Sequence, residues 1–163
     1  MLVLAHVAYT QVDTSTINQE GRSNKHLQIN LNPTPQIHFV TPPVGFDTSG
    51  YFNGYVDLRR HSAIIIQEMQ KISPALGKEA FQKKMDYFAE AGMTVLGTED
   101  FVTNKGVPGY YMRLSYKSKE VTYIRYLVYV GKANSLFLDV VFPESEMLDQ
   151  EMIKCFQSIT YDI

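Results

Sequence analysis

Apolar and polar positions alternate over Leu27-Gln28-Ile29-Asn30-Leu31 and again from Gln36 to Thr41, after breaks at Pro33 and Pro35. A period of two marks a half-buried strand. Residues 61 to 70 carry the run Ile64-Ile65-Ile66, which is apolar on both faces and predicts a strand covered from two sides. From Gly77 to Gly92 the spacing becomes helical, with Phe81, Met85 and Phe88 on one stripe, Ser73-Pro74 as the start and Gly92 as the stop. Four strands follow, over 93–103, 107–117, 120–130 and 135–142. They are joined by the short connections Asn104-Lys105-Gly106, Ser118-Lys119 and Lys132-Ala133-Asn134. Connections of that length make the strands antiparallel neighbours. After Pro143, Leu148, Met152, Phe156 and Ile159 mark a last helix, with Glu144 and Glu146 in its first turn, where the dipole favours acids.

Between the strand ending at Thr41 and the one beginning near Ala63, the chain reads Pro42-Pro43-Val44-Gly45-Phe46 and continues through Gly54-Tyr55. The prolines stop regular structure, Gly45 and Gly54 permit positive φ, and Phe46, Tyr51, Phe52 and Tyr55 are large enough to pin a loop to a core. Two readings stay open. The segment is a buried-aromatic connector, or it presents its aromatics with Arg59, Arg60 and His61 to a partner.

The order of these pieces, with the strand and turn Phe39-Val40-Thr41-Pro42-Pro43-Val44-Gly45-Phe46, the Gly54-Tyr55 step and the apolar strand at 63–66, resembles a known fold. It is the fold shared by the PsbP extrinsic subunit of photosystem II, the bacterial DcrB-type periplasmic proteins and a yeast Ran-binding nuclear transport factor. The resemblance covers residues 26 to 162. It implies an α+β domain, a mostly antiparallel sheet with flanking helices in an α/β/α sandwich, and a binding or assembly role in place of catalysis. It carries over no functional residue.

Composition narrows the partners. A chain of 163 residues is the size of one domain and can bury a core without metal or disulfide. With 15 basic against 17 acidic residues there is no global field to draw nucleic acid. No segment is long and apolar enough to span a membrane. The opening MLVLAHVAYTQ is apolar to Ala8 and then turns polar, and residues 12–25 hold few apolar side chains. Residues 1–25 therefore read as a signal remnant ahead of a single domain over 26–163, or the opening is an amphipathic first strand. The first reading implies export to the periplasm or beyond; the second leaves a cytoplasmic location open.

No phosphate-binding glycine loop and no nucleophile elbow is present. The histidines, His6, His26, His38 and His61, are scattered, and Cys155 sits at core spacing, so neither metal nor another cofactor is expected. The meander offers the one candidate surface. A three-residue loop at 104–106 pairs Glu99 with Tyr111, the turn at 118–119 pairs Tyr111 with Tyr126 and Lys117 with Glu120, and a four-residue loop at 131–134 pairs Tyr126 with Asp139. Glu99, Tyr111, Tyr126 and Asp139 then form a row on one face, with Arg113 beside it. Leu114, Leu127, Tyr129, Leu136, Leu138, Val140 and Phe142 form the core on the other face, with Met112 and Tyr123.

The row is either a solvated face or a polar, aromatic surface for another protein or a small ligand, joined by Arg59 and His61 of the loop. Paired-carboxylate hydrolysis does not fit, since Glu99 and Asp139 would lie roughly 14 Å apart at about 4.8 Å per strand, beyond the window of about 5 to 9.5 Å. These readings favour a non-catalytic, exported binding or accessory protein. The alternatives are a small ligand-binding protein or enzyme using the Tyr111, Tyr126 and Arg113 face or the 43–61 loop, and a structural module of an oligomer. One residue resists the scheme: Arg125 falls on the core face, costly unless its guanidinium reaches an edge or a carboxylate, or else a sign that the register at Ser118-Lys119 is off by one.

Overall fold

The computed structural model describes residues 39–161. The strand expected over Leu27–Leu31, the proposed signal remnant, and His6, His26 and His38 lie outside the described residues. Within them the chain runs β1 (Asp47–Thr48), β2 (Gly54–Asp57), β3 (Ser62–Met69), α1 (Pro74–Gln82), α2 (Met85–Glu90), β4 (Thr94–Val102), β5 (Pro108–Ser118), β6 (Val121–Gly131), β7 (Ser135–Pro143) and α3 (Glu146–Gln157). The described strands form one antiparallel sheet in the order β1-β2-β3-β7-β6-β5-β4. The fold class is α+β. After β3 the chain crosses the sheet through α1 and α2 to its far edge, then returns by the meander until β7 closes against β3.

The meander strands fall within a residue or two of their sequence limits, because alternation and hairpin-length turns are local signals. Ser73 caps α1, its side chain accepting from Leu76 N–H at 3.3 Å, with Pro74 in the first turn, where its missing N–H costs nothing. The single helix expected to end at Gly92 is two, broken at Lys83-Lys84. Phe81 and Phe88 are buried in the same cluster, so the apolar stripe continues across the break and spacing alone does not reveal it. The strand expected up to Thr41 is also absent over its described part, Phe39 to Thr41. There the backbone is tied to the end of α3: Thr160 N–H donates to Phe39 C=O at 3.0 Å, and Thr41 N–H to Ser158 Oγ at 3.4 Å.

The segment 43–61 extends the sheet. It forms β1 and β2 as a hairpin and turns back into β3, with Gly45 and Gly54 at positive φ as expected. Phe46 and Tyr55 are buried and Tyr55 donates its hydroxyl to Val40 C=O at 3.0 Å, but Tyr51, expected as an anchor, is exposed. Asp57, buried at the β2–β3 turn, accepts from the backbone N–H of Arg59 and Arg60 and from Arg60 Nε at 2.6 Å. The Arg60 guanidinium also reaches Glu151 of α3, the Val44 carbonyl and the face of the Phe46 ring. Burial alone would raise the Asp57 carboxyl, but the hydrogen bonds and charge of Arg60 carry it below the usual carboxylate range.

Both faces of the sheet are core. One face presents Ile64, Ile66, Ile124, Tyr126, Val128, Leu136, Leu138, Val140 and Phe142 to Leu148, Met152, Cys155 and Phe156 of α3. The other presents Tyr110, Met112, Leu114, Leu127 and Tyr129 to Phe81 of α1 and Phe88 of α2. A Cβ at Gly77 would sit 2.3 Å from the Tyr129 ring, so α1 approaches β6 only because that position has no side chain.

This division corrects the expected assignment of faces. Leu136, Leu138, Val140 and Phe142 are buried, but on the Tyr126 side and not with Leu114 and Leu127. The cause is a one-residue register difference. Tyr126 pairs with Val140 and Leu127 with Asp139, because Gly131 itself pairs with Ser135 and the loop is one residue shorter than expected. Gly131 takes φ 154° with Asn134 C=O where a Cβ would stand, at 2.0 Å, a conformation only glycine supplies. A one-residue slip exchanges the faces of a whole strand.

Candidate functional site

Of the expected row, Glu99 and Tyr111 are opposed in β4 and β5 as read from the sequence, and the Tyr111 hydroxyl donates to Glu99 Oε2 at 2.5 Å. The β5–β6 turn lies two residues from the expected register: Tyr111 faces Val128, Arg113 faces Tyr126, and Lys117 faces Thr122 in place of Glu120. An even slip preserves the face. Tyr111, Arg113 and Tyr126 thus stay on one side, with the Tyr111 and Tyr126 rings edge to face at 5.2 Å. Asp139 leaves the row. It stands on the opposite face beside Arg125, bonded twice through Nε at 2.8 Å and Nη2 at 2.7 Å. That pair resolves the misplaced arginine: two parallel charge-assisted hydrogen bonds satisfy a guanidinium that burial would otherwise penalise. Arg59 and His61 stand apart, exposed at the β2–β3 turn, His61 with φ 49°.

The row is not an open surface. Tyr126 is 1% exposed beneath α3, and its hydroxyl donates to Asp149 Oδ1 at 2.8 Å. Arg113 Nε donates to the same oxygen at 3.1 Å. Asp149 belongs to the first turns of α3, behind the Ser145 cap, where the helix dipole favours a carboxylate. It was not singled out from sequence, although its place beside the Leu148 and Met152 stripe was the available signal. Burial first, then the hydrogen bond to Asp149, pushes the Tyr126 hydroxyl far above the ordinary tyrosine value. Burial and Glu99 do the same at Tyr111. Arg113 would be lowered by burial but is held up by Asp149.

Among the described residues this face carries a cleft of about 190 Å³, lined by Glu99, Phe101, Tyr111, Ile153, Phe156 and Gln157. Its lining is largely aromatic: Phe101 packs against Tyr111 at 5.9 Å and against Phe156 at 6.4 Å between centroids. The end of α3 is fixed to the β4–β5 loop by Asn104 N–H donating to Gln157 C=O at 2.8 Å, which holds the two walls together. Phe101, Ile153 and Gln157 were not read as site residues, because nothing local links an edge strand to the last turn of a helix. The cleft is smaller than the roughly 300–1,000 Å³ of ordinary small-molecule sites.

Among the described residues no cluster of three or more His, Cys, Asp or Glu side chains is placed to hold a metal ion. Cys155 is buried in the α3 core, and burial pushes its thiol up to about 12, well away from the thiolate that nucleophilic chemistry requires. No described helix is long and apolar enough to cross a membrane.

No known protein family matches the chain, and no curated protein sequence matches it. Among solved structures, a protein of unknown function from Pseudomonas aeruginosa, PA94, is similar to this chain at 9% identity and a TM-score of 0.46 over 61% of this chain and 72% of its own.

Proposed function

We propose that the chain is a non-catalytic binding or accessory domain of the PsbP-like α/β/α sandwich class, exported from the cytoplasm, and that it engages another protein. The observation that carries the reading is the use to which the acidic, basic and tyrosine groups are put. Asp149 is shared by Tyr126 and Arg113, Asp139 is taken by Arg125, and Asp57 is taken by Arg60. The first two bind one element to another, and the third braces the β2–β3 turn, from which Arg60 also reaches Glu151 of α3. The cleft between Phe101 and Ile153 is open to solvent, lined by three aromatic rings, Ile153, Glu99 and Gln157, and smaller than an ordinary small-molecule site. Export rests on the signal-like opening of the sequence.

The test is affinity capture from the extracytoplasmic fraction of the native organism, with the wild-type chain and an Ile153→Lys variant whose fold is checked by circular dichroism. Proteins retained by the wild type and lost from the variant support the reading. Identical retention by both, or recovery of the native chain unprocessed in the cytosolic fraction, would overturn the binding and export parts respectively.

A further inference from the structure

The two edges of the described sheet are unlike. At one, β1 contributes two residues; at the other, β4 runs for nine, from Thr94 to Val102, with no described strand beyond it. Proteins normally blunt long edges, since a row of unpaired N–H and C=O groups is a template for another strand. Here a bulge between Val95 and Gly97 interrupts the first part. From Gly97 to Val102 the pairing with β5 is regular, and every residue of that stretch except the half-buried Phe101 is exposed.

We propose that Gly97–Val102 is an acceptor edge for an extended, basic peptide segment of a partner protein, which adds antiparallel to β4 as a further strand and places one apolar side chain in the adjacent cleft. The inference rests on the binding-domain reading above and names the partner's chemistry. Side chains of an added strand alternate between the faces in step with β4. On the α3 face it meets Glu99 and then Phe101, whose ring forms a wall of the cleft with Ile153 and Phe156. On the other face it meets Asp100 and then Val102, which is 60% exposed. Glu99 and Asp100 are consecutive and both exposed, and the two cations described beside them are already in ion pairs, Arg113, opposite Gly97, with Asp149 and Lys78 with Asp100. An incoming strand is therefore complementary when it carries two adjacent basic residues opposite the acids and two adjacent apolar residues opposite Phe101 and Val102. Charge also argues against a second copy of this chain on the edge, because pairing β4 with itself brings four carboxylates together.

The probe is a capped octapeptide of order Thr-Thr-Val-Phe-Lys-Lys-Thr-Thr, titrated into the ¹⁵N-labelled chain and compared with a version carrying glutamate for lysine. Saturable shift changes over Gly97–Val102, Ile153 and Gln157, with slowed exchange of alternate β4 amides, are expected. The glutamate peptide should not bind, and the E99Q/D100N variant, which keeps hydrogen-bonding groups for Tyr111 and Lys78, should bind the lysine peptide about fivefold more weakly. Equal binding of both peptides, indifference of the variant, shifts elsewhere on the sheet, or concentration-dependent shifts of β4 in the free chain would overturn the proposal. Capture that depends on Ile153 without peptide binding at β4 would sink the edge and leave the binding-domain reading standing. Peptide binding with capture indifferent to Ile153 would do the reverse.

Discussion

On the α3 face of the sheet the buried polar groups tie a helix to the strands, whereas on the α1–α2 face they tie one strand to the next. Asp149 reaches down from α3 to Tyr126 and Arg113, so its removal frees a helix terminus. Arg125 and Asp139 sit on neighbouring strands with side chains about 15% exposed, so their bond is internal to the sheet and fixes which residue of β7 opposes which of β6. The first kind of contact sets how a layer is attached; the second sets register. Both are charge-assisted and mostly desolvated, but they differ in what is stranded when one partner is lost.

That difference can be broken experimentally. Asp139→Ala leaves the Arg125 guanidinium buried without its carboxylate, and the expected cost is about 3–5 kcal/mol in urea unfolding, largely regained when Arg125 is replaced by leucine as well. A loss below about 1 kcal/mol would mean that Arg125 finds solvent and that register does not depend on the pair. Asp149→Ala strands two donors at the rim of α3, of which Arg113 can turn toward water; about 2 kcal/mol is expected. The loss should be accompanied by faster amide exchange in Glu146–Gln157 and unchanged exchange in β6 and β7. Equal acceleration in the strands would erase the distinction between the two contacts. The smallest effect belongs to Lys78→Ala at the exposed Lys78–Asp100 pair, where solvent screens the charges; a change within about 0.5 kcal/mol is expected by the same measurement, and a larger one would place that pair among the structural bonds.

How much of this was legible in the sequence varies with the range of the forces involved. The four meander strands, the start of α1 at Ser73-Pro74 and the apolar stripe of α3 follow from alternation, a capping side chain and helical spacing, all of which act over a few residues. The pairing of Glu99 with Tyr111 followed from the loop at 104–106 in the same way. The β5–β6 turn was misjudged by two residues and the error was harmless to the faces. The β6–β7 loop was misjudged by one, and Asp139 changed sides. The misplaced arginine was the sign of that error, since a buried guanidinium needs a carboxylate, but it pointed to a one-residue slip at 118–119, whereas the face-exchanging slip lies in the β6–β7 loop.

The chain's own pattern determined an α+β domain, the order of its described elements from β3 onward apart from the break between α1 and α2, and the two-sided apolar character of β3, because hydrophobic periodicity and turn chemistry are local. Only the tertiary structure decided the β6–β7 register, the burial of Tyr126 under α3, and the cleft between Phe101 and Ile153. The register is held by Asn134, which accepts from Lys71 N–H at 2.8 Å, and by Ser135, which donates to Ile72 C=O at 2.6 Å. These partners are 63 residues away along the chain. A one-residue choice in a short loop costs little locally, so it is settled by such distant bonds and by the energy of pairing Arg125, which exist only once the sheet has closed.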